Sequence, residues 1–324
     1  MRLTFLWTSR RVLLLYLVLA PIGELFGQKK TLTKQVQFRH DNDVFKFQQV
    51  TDQFYSFGLL FNYSTALRQE SLLRRVSMGF GFDRSEKLIF DNKLYLKGFT
   101  PEFEADISGK PARPFAGILN WESSAYLSNS NRIWRFGTLL GVRGKISGAE
   151  WVQDRFHDWI SDKKFEGWRY QLSNKFLFGV NAKYVKPLPI WNWFEVFSES
   201  DISMGNYRFY LEENIGMRLG RFNRMEKSVL FFNHLDQDSR NRSEWFFVLK
   251  FFGRTVLSDA TLAREDGKDF YNPLDKKNLQ AGYHAAIHLQ IERFGAALSH
   301  IRNSTESNLS GKHSYGSLAI RYSF

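Results

Sequence analysis

The feature that most limits what this chain can fold into is an alternation of period two in which one face is aromatic. Between residues 54 and 63, Tyr55, Phe57, Leu59, Phe61 and Tyr63 share one side, while Ser56, Gly58 and Asn62 share the other. The same rhythm returns with Trp245, Phe247, Leu249 and Phe251, and again with Tyr283, Ala285, Ile287, Leu289 and Ile291. It closes the chain, where Leu318, Ile320, Tyr322 and Phe324 alternate with Ser317, Ala319, Arg321 and Ser323. Alternation alone also fits a soluble β-sandwich. Composition separates the two: aromatics make up 17% of residues, yet the mean hydropathy is −0.37. Lipid-facing aromatic bands around a polar lumen produce that pairing. The pattern predicts an all-β fold, a transmembrane antiparallel β-barrel of about 12 strands. In such a barrel the aromatic face of residues 54–63 meets lipid, and Ser56 points into the lumen.

The weaker segments are read the same way. Residues 77–82 and 87–97 are expected as strands, 98–114 as a long proline-containing loop, and 228–233 as a short strand. Residues 115–127 and 132–142 are expected to pair around the polar turn Ser128-Asn129-Ser130-Asn131. Lys186-Pro187-Leu188-Pro189 is expected to be a turn between two strands.

Residues 1–27 read as a signal peptide, with a basic start at Arg2, Arg10 and Arg11, an apolar stretch from Val12 to Ala20, and Gly27 at its end. The barrel domain is expected over 28–324. Removing the leader takes three arginines and one glutamate, so the net charge falls from +12 to +10. In a secreted, aromatic-rich chain this excess suits a phosphorylated lipid surface better than nucleic acid. With no Cys, disulfide and thiol chemistry are excluded.

One segment breaks the strand rhythm. A helix from about 147 to 160 would place Glu150, Gln153, Asp154 and His157 along one stripe, with Val152, Phe156, Trp159 and Ile160 largely on another side. Imidazole titrates near neutral pH, so His157 is a candidate general base, with Gln153 one turn earlier to hold its ring. Ser56 is a candidate nucleophile or site partner. Asn42 and Asp43 offer oxygen ligands to a hard cation such as calcium. His284 and His288 form a close pair with no third ligand nearby, which argues against zinc.

Taken together, the motifs resemble the outer-membrane lipid A 3′-O-deacylase family. They are Asn42-Asp43; Asp52, Tyr55, Ser56 and Gly58; Arg113-Pro114-Phe115-Ala116-Gly117; Gly141, Gly144, Gly148, Gln153 and His157; and Gly167, Trp168 and Gln171. The resemblance implies a barrel in the bacterial outer membrane with its site near the outer-leaflet rim. It implies a calcium-dependent esterase acting on lipid A of lipopolysaccharide, with His157 activating water and Asn42, Asp43, Ser56 and Gln153 around it. Three features depart from the family pattern. Lys145 stands where a Pro is common, Lys163 where an acidic residue is expected, and Ser56 where Thr is frequent. The family's basic site residue has no clear counterpart; Lys93 and Lys97 are the nearest candidates. Two other readings follow from the residues: an outer-membrane phospholipase using Ser56 as nucleophile, and a non-catalytic porin-like barrel. A monomer is expected.

Overall fold

The computed structural model describes residues 31–42, 55–67, 70–83, 86–101, 113–160, 165–231, 234–235, 243–262, 276–308 and 311–324. The signal segment 1–27, Asp43, Asp52 and Lys163 lie outside the described residues.

Twelve antiparallel strands close into one barrel. They are β1 (Lys34–Asn42), β2 (Phe57–Ala66), β3 (Lys87–Phe99), β4 (Ala116–Asn129), β5 (Arg132–Arg143) and β6 (Lys175–Trp191). They continue with β7 (Phe194–Gly205), β8 (Arg208–Arg221), β9 (Glu244–Asp259), β10 (Leu279–Ile291), β11 (Phe294–Asn303) and β12 (His313–Ser323). The first strand pairs with the last, Gln35 opposite Ser323 and Asn42 opposite Gly316. Closure leaves no sheet edge, which a structure without water around its backbone requires.

The burial pattern is that of a membrane barrel, apolar outside and polar within. Phe38, Phe61, Leu94, Trp121, Phe136, Phe178 and Ile215 are exposed on outer faces. Gln35, Gln37, Asn62, Ser64, Asp91, Asn120 and Ser124 are buried. The lumen is crossed by ion pairs. Lys183 and Lys250 both reach Glu199, Arg218 pairs with Glu195 at 2.5 Å, and Arg254 with Glu212. Trp191, Trp193 and Phe194 stack at one turn, and Phe294 packs on Tyr322, near the end that carries the C-terminus. That is an aromatic girdle.

Three expectations for this region are corrected. Residues 77–82 do not form a strand. Helix α1 (Leu72–Gly79) starts at Ser71, whose hydroxyl accepts from Arg74 N–H at 3.3 Å. Of the short strand expected at 228–233, Val229–Phe231 forms a 3₁₀ turn, and 232–233 lie outside the described residues. The prolines at 187 and 189 do not make a turn, for β6 runs through them to Trp191. The reason is the register: β5 pairs with β6 only as far as Val185, so beyond it β6 has β7 alone as neighbour. A proline on an unpaired side forfeits no ladder hydrogen bond.

The second helix, α2 (Ala149–Ile160), lies in the connection from β5 to β6, preceded by a 3₁₀ turn at Lys145–Ser147. It starts two residues later than the sequence pattern indicates. Gly144 and Gly148 flank the turn with φ of 93° and 75°, values that favour glycine. This connection stands at the barrel end opposite the C-terminus, because β5 ascends from the turn at Ser130-Asn131.

Candidate functional site on the outer wall

The site is built on the outside of the barrel. Strand β1 sends Gln37, Arg39 and Asp41 to the lumen, and therefore Phe38, His40 and Asn42 to the outer wall. Opposite them in register stand Phe61, Leu59 and Phe57 of β2. The lower pair, Phe38 and Phe61, is about half exposed to lipid, whereas Phe57 is buried. Helix α2 covers the upper part. Phe57, Phe115, Ala149 and Trp168 form one buried cluster, joined by Leu59, Leu96, Val152 and Phe165.

The close seating of the helix depends on glycine. A Cβ at Gly117 would collide with Ser147 Oγ and stand 2.8 Å from the Ala149 Cβ. Gly144 N–H also donates to Gly117 O at 2.9 Å, fastening the turn to β4. Gly117→Val is expected to lift the start of α2 at a cost of about 1–3 kcal/mol. Activity should fall while the heat-modifiable gel shift of a folded barrel persists.

Between wall and helix lies a small cavity of about 90 Å³, lined by His40, Asn42, Ser56, Phe57, Leu59, Val152, Gln153, Phe156 and His157. Four sequence-predicted residues thus meet in one place. Ser56, His157, Gln153 and Asn42 are all buried, at 1%, 3%, 4% and 6% exposure. Val152 and Phe156, expected on a different side of the helix, line the same cavity. Of the expected stripe, Glu150 turns aside and accepts from Gln171 Nε2 at 2.9 Å.

Ser56 does not point into the lumen. It precedes β2, so the strand alternation does not reach it. Its amide donates to Gly98 O at 3.0 Å, and its hydroxyl shares a short hydrogen bond with Thr100 Oγ1. Tyr55 takes the lumen side instead of lipid, donating to Asp41 Oδ2 at 2.8 Å and sharing a 2.6 Å hydrogen bond with Tyr95. Burial and the adjacent Asp41 carboxylate hold the Tyr55 phenol well above its usual range, so it remains a donor. Neighbouring residues are therefore anchored on opposite sides of the wall: Asp41 and Tyr55 inside, Asn42 and Ser56 outside.

Gln153 is fixed by Trp168, whose Nε1 donates to its Oε1 at 2.8 Å. Trp168 is 1% exposed and packs on Phe115 with ring centroids 5.3 Å apart. The His157 ring packs against Phe165, also at 5.3 Å. Lys93 and Lys97 are not in this cavity. Lys93 pairs with Asp91 at 3.0 Å, and Lys97 donates to Tyr207 at 3.0 Å, both within the lumen. His284 and His288 also line the lumen.

The run His40-Asp41-Asn42-Asp43 stands out in the sequence as a place for chemistry, but only Asn42 and Asp43 are given a role there, and Thr100 is missed. His40 lies two residues before Asn42 in a strand, and period two alone places it on the same face. Thr100 gave no such signal, since its contact with Ser56 spans separate connections.

The pocket offers amide and hydroxyl oxygens from Asn42, Ser56 and Gln153, and no thiolate. That donor chemistry suits a hard cation such as calcium. Among the described residues no group of three or more His, Asp or Glu side chains gathers as a ready metal cage.

A closed barrel with an apolar exterior and a helix-covered pocket on its outer wall defines an integral outer-membrane protein. Residues 12–324 match the family described as outer membrane protein LpxR, and the chain belongs to it. This is the lipid A 3′-O-deacylase family that the motifs resemble. The fold is similar to that of LpxR from Salmonella typhimurium, at 17% identity and a TM-score of 0.74, covering 90% of this chain and 100% of that one. The β-domain of the Bordetella autotransporter BrkA is 7% identical with a TM-score of 0.47, covering 91% of this chain and 100% of that one. The KdgM porin is 7% identical with a TM-score of 0.37, covering 90% and 99%. No curated protein matches the chain in sequence.

Proposed function

We propose that this protein hydrolyses the 3′-linked acyl or acyloxyacyl ester of lipid A, with His157 as the base that takes a proton from the attacking water. The observation that carries this reading is the meeting of His157, Gln153, Ser56 and Asn42 in one cavity on the lipid-facing wall. An ester carried by a membrane lipid reaches such a cavity by moving along the barrel surface, without leaving the bilayer. A buried imidazole beside it would accept a proton from water as the carbonyl is attacked, and return it to the leaving alcohol. Ser56, whose hydroxyl shares a hydrogen bond with Thr100, would place that hydroxyl beside the reacting carbonyl, where a donor stabilises the developing oxyanion. Gln153 keeps its position through Trp168.

Asn42 would hold a calcium ion together with Asp43, which lies outside the described residues. When bound, the ion supplies Lewis-acid polarisation of the ester carbonyl. Chelation is expected to reduce hydrolysis by at least about tenfold, with calcium restoring it. In Asn42→Ala the calcium concentration for half-restoration should rise, as titration of the chelated enzyme would show. Residues 1–27 serve as the export signal in this reading, and the barrel acts as a monomer.

The test is acyl release from purified lipid A in detergent, with serine-directed phosphonate labelling alongside. Release of the 3′-linked acyl group without labelling of Ser56 supports the water mechanism. Stoichiometric labelling of Ser56 that stops activity would instead assign the covalent phospholipase-type mechanism.

A further inference from the structure

Helix α2 has a second face that the wall pocket does not use. Ala149, Gln153 and His157 turn toward the barrel, and Trp151, Arg155 and Trp159 turn away from it. These three recur every four residues, which aligns them in one stripe about 12 Å long. Trp151 is 64% and Trp159 76% exposed. The Arg155 guanidinium lies over the Trp151 ring, 5.8 Å from its centroid. Phe156 bridges to Trp159 at 6.1 Å, and Phe156 also lines the catalytic cavity. The stripe is therefore continuous with the cavity mouth.

Two large indoles left exposed cost free energy in water, since each carries a large apolar area. They lose that cost at a membrane interface, where Trp rings sit at headgroup depth. The helix is placed at that depth. It lies against the outer wall at the upper end of the lipid-facing strands, above the exposed row Phe38, Phe61 and Leu94. A phosphatidylcholine surface would satisfy the indoles alone. The charge points further. Arg155 is the one charged member of the stripe, and an Arg held over an aromatic face keeps its N–H fork free for phosphate. The exposed cations of the connection, Lys145, Arg155 and Arg169, outnumber its exposed acids, Asp158 and Glu166, among the described residues.

We propose that the Trp151–Arg155–Trp159 stripe is a docking face for a phosphorylated glycolipid headgroup, holding the substrate while its acyl ester enters the cavity on the other side of the helix. The choice of glycolipid rests on the deacylase reading; the docking itself is separable from hydrolysis. The stripe residues are positioning residues and touch no reacting atom.

The experiment is native mass spectrometry of the detergent-solubilised barrel titrated with bisphosphorylated lipid A, dephosphorylated lipid A and phosphatidylcholine. Wild type and His157→Ala are expected to bind bisphosphorylated lipid A equally, and more tightly than the other two lipids. Trp151→Ala/Arg155→Glu/Trp159→Ala should bind it about tenfold more weakly. Arg155→Glu alone, an exposed change that leaves packing intact, should erase the preference for the phosphorylated lipid, and Arg155→Lys should restore part of it. In turnover, the triple variant should show a raised KM with kcat nearly unchanged, the signature of lost uniform binding. Unchanged affinity in the triple variant would overturn the proposal. So would a wild-type dimer that the triple variant dissolves, which would assign the stripe to a second copy of this chain. Wild type that binds bisphosphorylated lipid A through the stripe but releases no acyl group would overturn the deacylase reading and leave the docking face standing.

Discussion

His157→Ala is expected to lower kcat for lipid A deacylation by about 10²–10⁴-fold, the range that a lost general base produces. The loss should fall on kcat and kcat/KM alike, because in the proposed mechanism the imidazole acts on the proton of the attacking water rather than on the resting lipid. His157 is buried against Phe165 beneath the helix, and removing its ring leaves a small void at the helix–wall contact. The barrel itself is closed by strand pairing that does not involve this residue. The variant should therefore migrate as folded protein and keep its lipid affinity. Steady-state acyl release from the purified variant, with binding measured in parallel, checks both halves. A variant that binds lipid A normally and still hydrolyses it at the wild-type rate would remove His157 from the chemistry.

Trp168 carries the second large effect. Its indole is buried, packs on Phe115, and donates the hydrogen bond that fixes Gln153. Trp168→Ala removes the packing and the donor together, a change that costs about 3–5 kcal/mol at buried sites. That cost falls on the docking of α2 against the wall and not on the strand ladder. The expected outcome is a barrel of normal heat stability with faster proteolysis in the connection from β5 to β6, and activity near background. Trp168→Phe separates the two contributions. It retains an aromatic ring against Phe115 but leaves the buried Gln153 amide oxygen without its donor, at about 1–3 kcal/mol. Limited proteolysis should then be near normal while kcat falls clearly. Equal proteolysis and equal activity in both variants and wild type would mean that Trp168 does not hold the site together.

Much of this was legible in the chain because strands report themselves twice, through alternation and through what the exposed face is made of. Phe61, Trp245 and Ile320 are exposed aromatic or aliphatic residues that a soluble sheet would bury, and their alternation with polar neighbours marks lipid on one side and lumen on the other. The helix was legible for the opposite reason, as the place where period two gives way to period 3.6 between Gly144 and Gly167. The errors have separate physical causes, the first being that periodicity describes a strand's interior and fails at its ends. Ser56 and Tyr55 sit just before β2 and turn to the sides opposite those that alternation assigns. Pro187 and Pro189 looked like a turn because a local rule for proline cannot see that β5 has already ended. Residues 77–82 looked extended because the apolar positions of a short helix are too few to establish a period.

The candidate site was legible as a set of residues but not as a place. Nothing in the spacing of Asn42, Ser56, Gln153 and His157 says whether they meet inside the barrel or on its wall. That depends on the parity of β1, which puts Asp41 in the lumen and Asn42 outside, and on glycines that let α2 approach β4. Parity on β3 puts Lys93 and Lys97 in the lumen, and parity on β1 puts His40 beside Asn42 in the outer pocket. A pocket on the outer wall suits the proposed reaction, in which the substrate's acyl chains would stay in the bilayer while its ester is cleaved.

The most direct test of this account is mass spectrometry of lipid A from a bacterial host that carries the folded barrel in its outer membrane, with a His157→Ala strain grown beside it. Wild type is expected to yield lipid A lighter by one 3′-linked acyl or acyloxyacyl group, and His157→Ala the unmodified species. Unmodified lipid A in both strains, with both barrels shown to be folded, would contradict it.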